Sequence, residues 1–362
     1  MTVLARPDIR PPLAIDADWL TAVLRQGGVD AVVRGVSAKA IGTGQIGDSI
    51  RFSLDYARAP DGAPASLVGK FPSANAESRA TGVSLGNYDR EVRFYQHLAP
   101  TARISTPRCW FTDVDEATSD FVLIMEDLAP AEPGDQLRGV TLEQARQVMV
   151  EAARLHASHW DDAGLDALSW VSGTKAAPPS MVTDEAVMTL WGAFKDRYRP
   201  RLQPEWERIG DRLAANFGRL SEMREGPRCL THNDFRPDNM MFAGPRGGAP
   251  VTVLDWHSFA YGVGATDVAY FLAGALPADV RRSSEPELLE VYHSTLLAEG
   301  VCGYGMGDLR RDYAQGGYLL FLTAFFAAMI VTQTPRGDDM FIQMLSSAAE
   351  HMLEHGALEG LV

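Results

Sequence analysis

The chain is poor in cysteine, in basic residues and in long apolar runs. Its 362 residues include three cysteines, Cys109, Cys229 and Cys302, far apart and without a CxxC pair. That spacing excludes a disulfide framework or a cysteine zinc knuckle and predicts a reducing, cytoplasmic setting. Lys and Arg number 33 against 47 Asp and Glu, a net charge of −14, and the basic residues form no cluster. Such a surface repels phosphate backbones and anionic lipid, so neither nucleic acid nor a membrane is an expected partner. The most apolar run, Leu319 to Val331, is shorter than the roughly 20 residues a bilayer demands and predicts a buried helix. The opening "MTVLARPDIRPPLAID" has prolines and charges where a secretion signal needs an apolar core. No repeat or low-complexity tract interrupts the chain.

What remains is a packed globular sequence, 46% hydrophobic and 22% charged, long enough for two core-bearing units at roughly 150 residues each. "ADWLTAVLRQGG" predicts a short helix stopped by Gly27 and Gly28. In "SIRFSLDY" Ile50, Phe52, Leu54 and Tyr56 alternate with polar residues, the period of a half-buried strand. "SLVGKF" predicts the next strand, with Lys70 near its end. "NYDREVRFYQHL" sets Tyr88, Val92 and Tyr95 at helical spacing with Glu91 on an adjoining face, and "CWFTDVDEATSDFVLIMEDL" predicts a hairpin. Beyond it "TLEQARQVMVEAARLHASHW" predicts a helix capped by Thr141. The fold class expected is α+β, with a small β-rich lobe over residues 1–127 and a larger helical lobe over 128–362.

"GTGQIGDS" holds Gly42, Gly44 and Gly47 in a GxGxxG pattern closed by Ser49. Glycine lets backbone amides approach phosphate oxygens. A Rossmann loop of this pattern opens a helix, whereas a kinase-type loop turns one strand into the next. The residues that follow alternate as a strand, which favours the kinase type over the Rossmann type; a plain hairpin turn is the bland alternative. Lys70, 23 residues after Gly47, could reach nucleotide phosphates, and Glu91, 21 residues further on a helix, could hold its ammonium in place.

"LTHNDFRPDNMMF" crowds His232, Asp234 and Asn239 into one short segment, and "VTVLDWHSFAYG" carries a β-like run onto Asp255. Phosphoryl transfer to an alcohol needs a carboxylate to accept the hydroxyl proton and hard oxygen donors for magnesium. Asp234 suits the first role, and Asn239 with Asp255 the second. A zinc hydrolase built on His232 and Asp234 would need a third ligand at recognisable spacing, and none stands nearby. His156 and His159, three apart on a predicted helix, are read as packing residues.

The segments "THNDFRPDNMMF" and "VLDWHSFAYGVGATDVAYFL" resemble those of the aminoglycoside phosphotransferase and choline kinase superfamily, with a closer likeness to its ecdysteroid-kinase-like branch. The resemblance runs from Gly42 through Asp267 and implies a two-lobed, protein-kinase-like fold binding ATP and Mg2+. It implies Asp234 as base, Asn239 and Asp255 as magnesium ligands, and Lys70 with Glu91 as the phosphate-positioning pair. It also implies that "LIMEDL" is a hinge whose backbone near Glu126 and Leu128 meets adenine, and that Asp267 braces the catalytic loop. Arg236 and Pro237 depart from the branch, which leaves the acceptor side open. A small hydroxylated molecule is the acceptor implied, an apolar, steroid-like or hydroxyacyl alcohol or an aminoglycoside- or choline-type compound. A pseudokinase is the rival, disfavoured because every catalytic position is filled.

The acceptor is expected against residues 160–226, a region with eleven acidic and nine basic residues over 161–226, too balanced to attract a polycation strongly. It holds Trp160, Trp170, Trp191 and Trp206, which could wall an apolar pocket or simply pack helices.

Overall fold

The computed structural model describes residues 7–42, 46–171, 183–222 and 226–359. The chain divides into two compact units. Unit 1 comprises Met1–Thr101, Thr106–Pro130 and the four-residue stretch Leu254–His257; unit 2 comprises Ala102–Ser105, Ala131–Val253 and Ser258–Val362.

Unit 1 begins with helix α1 (Ala17–Gln26). Its N-cap Asp16 accepts from the Trp19 amide, and Gly27 closes its C-terminus. Strands β1 (Val32–Ile41), β2 (Gly47–Arg58) and β3 (Ser66–Pro72) follow, then helices α2 (Ala76–Ser84) and α3 (Asn87–Arg93), the latter running into a π-turn at Phe94–Leu98. The hairpin β4 (Cys109–Val114) and β5 (Phe121–Glu126) completes an antiparallel sheet of order β1-β2-β3-β5-β4. Trp19, Leu20, Val23 and Leu24 of α1 pack on Phe52, Leu67, Phe71 and Ile124 of the sheet. The alternation in β2 is real but graded: Phe52 is fully buried, while Ile50, Leu54 and Tyr56 are partly buried against the same core.

Unit 2 is mainly helical and carries two small sheets. Its elements are β6 (Glu132–Pro133), α4 (Leu142–Ser158), α5 (Ala163–Asp166), α6 (Asp184–Tyr198), α7 (Pro204–Ala215), α8 (Phe217–Glu222), β7 (Cys229–Thr231), β8 (Met240–Gly244) and β9 (Gly247–Val253). They continue with β10 (Ala260–Gly262), α9 (Ala265–Ala275), α10 (Ala278–Ala298), α11 (Met306–Ile330) and α12 (Pro335–Glu354). β8 pairs with both β6 and β9, and β7 pairs with β10. Thr141 caps α4 in a capping box with Gln144, satisfying two helix-end amides reciprocally. Every residue of α9 is buried.

The apolar run Leu319 to Val331 is the C-terminal half of a helix longer than the run itself. By length and composition α11 could cross a bilayer, and 56% of its most apolar window is buried inside the protein. Leu320, Phe321 and Phe325 join Trp191, Phe194 and Leu345 in the unit 2 core. Of the four tryptophans in the candidate acceptor region, Trp191 is 2% exposed and stacks on Phe194, and Trp206 packs against the same core. Trp160 meets the Tyr304 ring edge-on and Trp170 meets Phe259 in the same way. Helix packing thus accounts for contacts of Trp191 and Trp206, while Trp160 and Trp170 make theirs between connecting segments.

Candidate active site

In unit 1 the glycine turn joins β1 to β2, strand to strand, so the Rossmann arrangement is excluded by topology. Gly42 sits at φ +71 with open space where a side chain would stand. A Cβ on Gly47 would lie 3.1 Å from the Phe71 carbonyl oxygen, so glycine permits β2 to approach β3 closely there. Gly44 lies outside the described residues. Ser49 is paired across the ladder with Lys70, which places the lysine directly beside the strand that leaves the turn.

The Lys70 ammonium lies 2.9 and 2.7 Å from the two Glu91 carboxylate oxygens and 2.7 Å from Asp255 Oδ1. Glu91 is 4% exposed, delivered by α3, whose Tyr88 stacks on Phe121. Burial alone would depress the Lys70 pKa, but the Asp255 and Glu91 carboxylates outweigh it and raise it, keeping the side chain charged. Asp255 stands two residues beyond β9 at φ +66, a left-handed conformation costly for a non-glycine residue. The next side chain, Trp256, stacks on Phe94 at 4.0 Å and donates to Thr106 Oγ1, which locks the segment. His257 Nδ1 meets the same Asp255 Oδ1 at 2.6 Å, and Arg90 donates to the His257 carbonyl. Burial would raise the Asp255 pKa, yet His257 and Lys70 hold it well below the usual carboxylate range. His257 is raised in turn: its burial works downward and the Asp255 charge more than reverses it.

Glu126 ends β5, and its amide donates to the Arg108 carbonyl at 2.9 Å. That amide is therefore already paired within unit 1.

In unit 2 the segment after β7 is fixed by one buried carboxylate. Asp267, fully buried on α9, accepts from the His232 amide at 2.6 Å and the Asn233 amide at 2.9 Å. His156 on α4 lies 3.3 Å from the same carboxylate and 2.8 Å from the Tyr292 hydroxyl, so its role is to tie α4 and α10 to the loop. Asn233 takes φ +64, turning the chain so that Asp234 follows. The Asp234 carboxylate is then held from several sides: Asn239 Nδ2 donates to Oδ2 at 2.7 Å, the Tyr270 hydroxyl to Oδ1 at 2.8 Å, and Arg236 Nε lies 3.1 Å from Oδ1. Asn239 also donates through Nδ2 to the Asp234 carbonyl, and the oxygen of its amide is the atom that suits a hard cation. Burial and the Asp234 charge raise the Tyr270 pKa far above normal, so the hydroxyl stays a donor. Arg236 is held charged against burial by Asp234.

The structure thus groups Lys70, Glu91 and Asp255 in one unit and Asp234 and Asn239 in the other. Sequence reasoning missed His257, Tyr270 and the half-buried ion pair of Arg236 with Asp234. Tyr270 had a signal, since it falls one helical turn after Asp267. A cleft of about 320 Å³ in unit 2, lined by Arg138, Leu276, Arg281, Gln343 and Glu350 among others, contains none of these residues.

An antiparallel sheet with a glycine turn and a lysine paired to a buried glutamate, and a helical unit with a His-Asn-Asp loop, define an α+β, kinase-like fold. An ethanolamine kinase structure from Plasmodium vivax is similar in fold, with TM-score 0.50, 11% identity, and coverage of 86% of this chain and 82% of that one. A GDP complex of aminoglycoside 2'-phosphotransferase-IIIa aligns at 14% identity and TM-score 0.48, over 93% of this chain and 98% of that one. A microcompartment-associated aminopropanol kinase aligns at 14% identity and TM-score 0.43, over 90% and 94%. No curated protein sequence matches the chain. The sequence profile of the phosphotransferase enzyme family matches residues 61–302, well over half of the chain, and the chain belongs to that family.

Proposed function

We propose that this protein is a small-molecule kinase that moves the γ-phosphate of ATP to an alcohol hydroxyl, in the ecdysteroid-kinase-like branch of its superfamily and in a reducing, cytoplasmic compartment. The observation that carries the reading is the Asp234 carboxylate, held by Asn239, Tyr270 and Arg236 in a loop that Asp267 pins. A carboxylate so oriented accepts the hydroxyl proton as the acceptor oxygen bonds to phosphorus and the bond from phosphorus to the ADP oxygen breaks. Lys70, set by Glu91, would hold the α- and β-phosphates, with Gly42, Gly44, Gly47 and Ser49 covering them and the backbone near Glu126 and Leu128 meeting the base. Asn239 Oδ1 and the Asp255 carboxylate are the donors for Mg2+, which neutralises charge on the phosphates.

The family covers acceptors of different chemistry. The half-buried Arg236 guanidinium beside Asp234 disfavours a polycationic aminoglycoside or a choline-like cation, and supports a neutral or anionic alcohol such as a hydroxyacyl or steroid-like compound. Neighbours described as ethanolamine, aminopropanol and aminoglycoside kinases make amine alcohols the alternative class.

The test is ADP release from MgATP across hydroxy acids and their CoA esters, hydroxylated steroids, sugars, choline, ethanolamine and aminoglycosides. Asp234→Asn is the control, expected to bind MgATP normally and lose roughly 10²–10⁴ in turnover. Retained turnover in that variant overturns the mechanism. MgATP binding with silence across the panel shifts the reading to a nucleotide-binding pseudokinase.

A further inference from the structure

Outside the residues assigned above, unit 2 holds a second group of ligating side chains. Glu285 on α10, His351 on α12 and His355 at the C-cap of α12 each offer one ligand atom, and the three atoms lie within 4.8 Å of one another. The histidines stand four apart in "HMLEH", so they share one face of the helix.

The surroundings of these groups are those of a metal's outer shell. His351 is fully buried; its Nε2 lies 3.1 Å from the Tyr313 carbonyl, and its Nδ1 is buried with no hydrogen-bond partner among the described residues. A neutral imidazole that donates from Nε2 carries its lone pair on Nδ1. An imidazole fixed by a backbone carbonyl through one nitrogen, with the other free, is the usual state of a metal-ligating histidine.

Glu285 is similarly held from behind. Its Oε2 accepts from the Tyr313 hydroxyl at 2.8 Å and from Arg281 Nη1 at 3.0 Å, while Oε1 faces His355 Nε2 at 3.2 Å. That last distance is long for a charged hydrogen bond. It is close to the edge of a zinc tetrahedron, about 3.3 Å for ligands at roughly 2.0–2.1 Å. Arg281 would repel a cation, and its charge is offset in part by Glu285 and by Glu354, the latter shared with Arg282. Glu285 and His355 are 14% and 24% exposed, which leaves a way in from solvent.

We propose that Glu285, His351 and His355 form a binding site for one first-row divalent cation of the zinc type, clamping α12 to α10 apart from the phosphotransfer residues. Glu285 Oε1, His351 Nδ1 and His355 Nε2 are the protein ligands, and water completes the shell. The two-nitrogen, one-carboxylate set selects zinc, cobalt or nickel over magnesium, which prefers oxygen alone.

Zinc itself is the probe. The full-length protein is stripped with chelator and titrated with Zn2+ against a chromophoric competitor, beside His355→Gln, Glu285→Gln and Asp255→Ala. The wild type is expected to bind one equivalent with a rise in melting temperature, and both ligand variants to bind it roughly tenfold or more weakly. Asp255→Ala removes the carboxylate shared by Lys70 and His257 and is expected to keep the equivalent. Zn2+ bound as tightly by His355→Gln and Glu285→Gln as by the wild type, or lost only in Asp255→Ala, overturns the assignment. X-ray absorption on the zinc-loaded wild type decides it without any variant: two imidazole nitrogens support the site, and a shell without imidazole rejects it.

Discussion

Asp255 Oδ1 is shared by the Lys70 ammonium and the His257 ring, whose pKa it raises, and this makes one residue sensitive to pH. The folded pKa of His257 is raised above its unfolded value, so its contribution to stability is complete below about pH 6.5 and fades as pH rises through the folded pKa. Asp255 works the other way, contributing above about pH 3.8 and losing that contribution as pH falls. Denaturant unfolding of His257→Gln is therefore expected to lose less stability than the wild type between neutral and mildly alkaline pH. Equal slopes in the two proteins would refute the pairing. Asp255→Ala is expected to weaken MgATP binding while leaving metal-free nucleotide binding less affected, read by calorimetry with and without Mg2+. Lys70, Glu91, Asp234, Asn239 and Asp255 could be nominated from the sequence because their types suit phosphoryl transfer and their order resembles that of the family. His257, Tyr270 and the Arg236 pair could not, because their meaning lies in which oxygen each one reaches.

At the scale of elements, local chemistry sets the boundaries and packing sets the cost of changing them. The capping box of Thr141 and Gln144 starts α4, the helix that carries His156 to Asp267. Thr141→Ala is expected to cost about 1 kcal/mol, measured by denaturant unfolding of the full chain. Trp191 is surrounded by Phe194, Phe321 and Phe325, so Trp191→Ala is expected to cost about 3–5 kcal/mol; a value near zero would argue that its ring faces a ligand space instead. Helices with a cap and period, such as α1 and α4, and the alternating strand β2 are legible in the sequence. β7 and β10 are three residues each, too short to show any period, and exist because they pair with one another. α11 reaches further toward the N-terminus than its apolar run, since Leu309, Tyr313 and Gly316 bury themselves at helical spacing among polar neighbours.

At the scale of the molecule, the net charge of −14 and the family membership bear on the acceptor more than on the fold. A chain of this charge concentrates cations rather than anions near its surface, so association with an anionic acceptor is expected to quicken as salt rises and screens the repulsion. Stopped-flow binding at low and physiological ionic strength, once an acceptor is found, would read the sign directly; a slowing with salt would point to a cationic acceptor and against the role given to Arg236.

The stretch Leu254–His257 belongs with unit 1 although more than a hundred residues separate it from the rest of that unit. The N-terminal region is consequently not a severable part. Cleaved after residue 130, it would keep its sheet strands but lose the tryptophan stacked on Phe94 and the carboxylate that helps balance Lys70. Recombination by exchange of the N-terminal segment between relatives carries the same penalty, because a borrowed segment arrives without the four residues that finish its own interior. Any chimera of this protein must take its crossover points in pairs.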